Sequence, residues 1–69
     1  MKPSLGRVVH YVWAGGVHHA GIITAIDPLR DTVQIAVFNS RVKATIFMDD
    51  CEFNEHGAEN SWHWPEREA

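Results

Sequence analysis

With 69 residues, 45% hydrophobic and 22% charged, the chain has the composition of one folded globular domain. A domain near this size buries only about 60% of its unfolded surface, which excludes a large enclosed active site within one copy. Cys51 is the single cysteine, so the intramolecular disulfides that staple small secreted domains are excluded. No run approaches the roughly 18 apolar residues of a membrane span, and the N-terminus lacks the apolar stretch of a signal peptide. A cytoplasmic protein without membrane association is the expectation. The net charge of −3 is uneven: residues 1–48 hold five cations (Lys2, Arg7, Arg30, Arg41, Lys43) against Asp27 and Asp31, or +3. Residues 49–69 hold Arg67 against Asp49, Asp50, Glu52, Glu55, Glu59, Glu66 and Glu68, or −6. This predicts an acidic loop and tail lying over a mildly basic body.

In chain order, Gly6 to Trp13 reads as a strand, with Val9, Tyr11 and Trp13 on one face and Val8, His10 and Val12 on the other. Gly15-Gly16 is the pair a tight hairpin turn prefers. His18 to Ile26 alternates as a second strand, and Gly21 within it predicts a bend or a close backbone approach. Asp27-Pro28-Leu29-Arg30-Asp31 is a turn whose proline pre-sets its backbone. Thr32 to Phe38 forms the third strand, Asn39-Ser40 a reversal, and Val42 to Phe47 the fourth. The polar stretch of residues 49–60 reads as an acidic loop with room for one helical turn around Cys51 to Glu55. A short last strand follows and ends at about Trp64, because Pro65 cannot donate to a ladder.

Five short strands without a convincing helix predict an all-β fold over residues 1–69, a small, partly open SH3-like barrel, with an OB-like barrel as the alternative. Two blocks at opposite ends carry more specific information: Gly6-Arg7-Val8-Val9-His10-Tyr11 and Ser61-Trp62-His63-Trp64-Pro65-Glu66. Together they resemble a family of small phage and prophage proteins, with Ser61 standing where a threonine is expected. The resemblance implies a phage or mobile-element origin in a bacterial host cell and supplies no biochemical activity.

The same blocks hold most of the candidate partner-binding residues. If Ser61 to Trp64 is a strand, Trp62 and Trp64 share a face and His63 takes the other. The tryptophans then close the barrel against Val9, Tyr11 or Ile23, or one of them is left as a platform for a peptide. His10 and His63 are expected side by side on facing strands. Cys51, His56 and His63, with Asp49 or Asp50, are ligand types that zinc accepts, but Cys-x4-His-x6-His matches no standard zinc knuckle. The acidic neighbours of Cys51 should raise its thiol pKa and oppose a nucleophilic role. Val33-Gln34-Ile35 is similar to the Val-Gln-Ile-Tyr strand of plasmid-borne dihydrofolate reductases, but Ala36 takes the tyrosine position. No catalytic residue, cofactor or metal site is therefore expected.

The sequence favours a non-catalytic interaction module whose partner is another protein or a second copy of the chain. A nucleic-acid-binding barrel, with Arg7, Arg41 and Lys43 on phosphates, is the second class. A homo-oligomer with a site between copies is the third.

Overall fold

The computed structural model describes residues 2–65. Glu66 of the closing block and the acidic tail after it lie outside the described residues. Five strands follow one another: β1 (Val8–Val12), β2 (His18–Asp27), β3 (Thr32–Asn39), β4 (Ala44–Phe53) and β5 (Ser61–His63). They form a closed barrel in the order β1-β2-β3-β4-β5, an all-β architecture of the small SH3/OB-like kind. The barrel closes because β5 bridges both seams, although its seam with β4 spans only two residues. It pairs antiparallel with β1 through Tyr11↔Trp62 and parallel with β4 through Glu52↔Ser61 and Phe53↔Trp62.

Two bulges bend the ten-residue strands enough for this closure. In β2 the register shifts between Ile23 and Ala25, where Thr24 is the extra residue and its hydroxyl donates to the Gln34 carbonyl at 3.2 Å. In β4 the register shifts between Met48 and Cys51 against Ile35 and Val33, and Asp50 takes a left-handed backbone conformation (φ 51°). An extra residue in one strand of a pair sharpens its twist and bend.

The second bulge corrects the expectation of a loop from residue 49. Asp49 to Phe53 continues β4, residues 54–60 alone form the loop, and no helical turn forms at Cys51 to Glu55. Asp50 sits at the bulge as the acceptor for Arg30 at 3.3 Å and for the Thr32 hydroxyl at 3.4 Å. The extra residue also shifts the alternation by one, which is why Cys51, polar neighbours notwithstanding, faces inward.

The core is one cluster of Val9, Tyr11, Ile23, Val33, Ile35, Val37, Cys51 and Trp62, with Trp13, Met48 and Trp64 packed against it. Gly21 lies in β2 opposite Val37 of β3. A Cβ there would stand 2.6 Å from Ile35 Cγ2 and 3.1 Å from the Ala36 carbonyl oxygen, so the predicted close approach is real. The turns are built by side chains. Asp27 Oδ1 accepts the Leu29 and Arg30 amides, and Asn39 Oδ1 accepts those of Arg41 and Val42, holding the β3–β4 reversal at residues 40–43.

Candidate functional site

Alternation along β1 and β5 splits the two motif blocks between the faces of the barrel. Trp62 points inward and is 3% exposed, its ring edge-on to Phe53 at 5.0 Å and to Trp64 at 5.1 Å. Trp64 is half-buried below the Arg7 guanidinium, which lies 5.2 Å from its ring centroid, a cation–π arrangement. Trp62 thus closes the barrel in company with Val9, Tyr11 and Ile23, and Trp64 packs against that cluster from outside it.

His63 points the other way. It is directly opposite His10 in the β1–β5 register, and directly paired residues project from the same face. On the other side of β1, Val12 pairs with His18 and His10 with Ala20, so His18 is the diagonal neighbour of His10 on that same outer face. Three histidines from three adjacent strands therefore converge. Their ring centroids lie 5.4 Å (His10–His63), 4.9 Å (His18–His63) and 6.1 Å (His10–His18) apart, all edge-to-face. One ring nitrogen from each can be chosen so that all three lie within 4.8 Å of one another.

The cluster is graded in exposure: His63 is 5% exposed, His10 half-buried and His18 exposed. The loop of residues 54–60 lies along one side of it. Gly57, in the left-handed region at φ 75°, brings its backbone so close that a Cβ would sit 3.7 Å from His18 Cε1 and 3.9 Å from Val12 Cγ2. The Asn60 amide donates to the Val12 carbonyl at 2.7 Å, and the Ser61 hydroxyl donates to the Ala58 carbonyl, so the loop is fastened at its end.

Sequence reasoning placed His10 beside His63 but missed His18, and it considered Cys51, His56 and His63 as the ligand set. Those three do not meet. Cys51 faces the core at 2% exposure, His56 is exposed in the loop beside Glu55, and His63 faces outward. The usable signal is strand pairing: a β1–β2 hairpin turning at Gly15-Gly16 with Val12 opposite His18 returns His18 beside His10. His19, adjacent to His18 in sequence, faces the opposite side and packs edge-on to Trp13 at 5.9 Å.

Cys51 is unsuited to nucleophilic chemistry. Burial first, then the carboxylates of Asp49 and Asp50, push its thiol up to about 11. Burial and, secondarily, Cys51 also raise the Tyr11 phenol, whose hydroxyl donates to Asn60 Oδ1 at 3.4 Å.

The cations do not merge into one patch. Arg7 precedes β1 at the end of the barrel where its carbonyl accepts the Ile23 amide. Arg41 and Lys43 occupy the β3–β4 turn, beyond the Asn39↔Ala44 pair at the other end.

A second surface is apolar. The register places Val8, Ile22, Ala36 and Phe47 in one row across β1, β2, β3 and β4. Phe47 is 61% exposed, and Phe38, two positions along on β3, is also exposed. Along β4 the pairing to β5 involves only Glu52 and Phe53, so among the described residues Ala44 to Asp50 pair on their β3 side alone. Also among the described residues, no helix is long and apolar enough to cross a membrane.

Comparison with protein-family models, curated proteins and solved structures finds no match to this chain.

Proposed function

We propose that the chain is a non-catalytic protein-interaction module of phage or mobile-element type, acting in the bacterial cytoplasm, and that its β4 edge pairs with the β4 edge of a second copy. The observation that carries this reading is the edge from Ala44 to Asp50, which lacks a strand partner among the described residues and presents Phe47 to solvent.

Open edges invite strand addition, and proteins usually blunt them with lysine, proline or a bulge. The stretch Ala44 to Met48 has no charge and no proline, and the bulge comes only after it. Charge supports self-pairing. The Arg41–Lys43 turn leads into one end of the edge and Asp49–Asp50 closes the other. Antiparallel pairing of two such edges about a two-fold at Phe47 lays the basic turn of each copy along the acidic end of the other. It also brings the two Phe47 rings together. The GlyArg-ValVal-HisTyr and Ser-Trp-His-Trp-Pro blocks support the phage-type origin by resemblance.

Sedimentation equilibrium tests the reading. The wild-type chain should approach twice its 7.8 kDa mass as concentration rises, and Phe47→Lys should return it to the single-chain mass with an unchanged circular-dichroism spectrum. A single-chain mass at every concentration, or a dimer indifferent to Phe47→Lys, would overturn it.

A further inference from the structure

The geometry points to a transition-metal site formed by His10, His18 and His63, taking zinc or a similar divalent ion through three imidazoles. It lies apart from the β4 edge and does not depend on the dimer.

Three features support it. The ligand types are those zinc accepts, and three histidines with a further position left to water is a set that zinc proteins use. The spacing is close to what coordination needs. Zinc–nitrogen bonds of about 2.0–2.1 Å in a tetrahedron put neighbouring nitrogens about 3.3 Å apart, and the three ring nitrogens already lie within 4.8 Å of one another. Small ring rotations, chiefly of the exposed His18, draw them the rest of the way in. The frame is also rigid where it should be. His10 and His63 are fixed by a direct antiparallel pair, His63 is 5% exposed, and His18 enters from the rim beside Gly57. An ion would thus bind against a fixed pair and be clasped by a movable third ligand.

The site spans β1, β2 and β5, so an ion there would tie the short closing strand to the hairpin beside it. Metal affinity would then appear as resistance to unfolding, since a ligand that binds the folded chain alone raises its stability by mass action.

The test uses the untagged full-length chain with zinc chloride or cobalt chloride alone. Expected are one ion per chain by calorimetry, ligand-field absorption typical of four-coordinate cobalt, and a melting temperature that climbs with zinc. His18→Ala, at an exposed position, should fold normally. It should weaken zinc binding by more than the roughly 10- to 100-fold that loss of an outer-shell partner costs. His10→Ala should do the same, while His56→Ala, outside the cluster, should bind like the wild type. No stoichiometric binding by the wild type would overturn the proposal. So would undiminished binding by both His18→Ala and His10→Ala, or loss of binding on His56→Ala alone.

Discussion

The inner and outer faces of β5 and β1 are built from alternate residues of the same short segments, and they have opposite physical characters. Inward, Val9, Tyr11 and Trp62 are buried among apolar side chains and the Cys51 thiol. Outward, His10 and His63 meet His18 under a polar loop that covers only part of them. A three-residue strand thus holds the barrel shut with its middle residue and offers chemistry with its last. Stability and ligand chemistry are separated here by the pleat, not by distance along the chain.

That contrast breaks most clearly if an inward residue is removed. Trp62→Ala should cost about 3–5 kcal/mol, comparable to the whole stability of a scaffold this small. Far-ultraviolet circular dichroism should find the variant largely unfolded at room temperature. A folded Trp62→Ala with a normal denaturation midpoint would mean that the inner face is not what closes the barrel.

A second measurement uses the inner face's dryness. The Cys51 thiol is held at about 11 against an ordinary 9.0, so on raising the pH the unfolded chain ionises first. Stability should therefore be intact below pH 9 and fall between about pH 9 and 11, by about 2–3 kcal/mol. The raised Tyr11 phenol acts in the same direction. Urea midpoints across this range should drop for the wild type and drop less for Cys51→Ala; identical slopes would show that the thiol is not in a dry site.

Gly21→Ala probes the tightest point of the same face. Its Cβ would press on Ile35 Cγ2 and the Ala36 carbonyl, and overpacking of this kind costs about 1–3 kcal/mol. An unchanged midpoint would require β2 and β3 to be further apart than they are here.

The smallest effect is expected outside. His18→Ala removes an exposed ring and should change stability in metal-free buffer by no more than about 0.5 kcal/mol. A loss comparable to Gly21→Ala would show that the outer face also carries the fold.

Much of this architecture can be read from the residues. Alternation places β1, β2 and β3 within a residue or two of their observed ends, and it sends Trp62 inward and His63 outward. β4 defeats it, because the Asp49-Asp50 pair looks like the start of a loop while it is the bulge itself. One left-handed residue at Asp50 resets the phase and carries the strand on to Phe53. The histidine cluster is half legible for a related reason. His10 and His63 follow from facing strands, but His18 joins them only through the register of the β1–β2 hairpin. That register is set by the tight turn at residues 14–16, where Gly15 and Gly16 take positive φ, rather than by any pattern in the histidines. The unpaired edge of β4 depends on how few residues of β5 reach it, which no local pattern announces.

The brevity of β5 has a consequence for how the molecule is made. Strands β1 to β4 are consecutive antiparallel neighbours and can pair as each leaves the ribosome, whereas both closing seams wait for Ser61 to His63. Until then Val9, Tyr11 and Ile23 lack the indole that caps them, and exposed apolar surface on a half-finished sheet is what makes nascent chains stick. The slow, long-range step is concentrated in the three residues of β5. Arrival of Ser61 to His63, more than any property of the first four strands, is then the moment at which the sheet becomes a barrel.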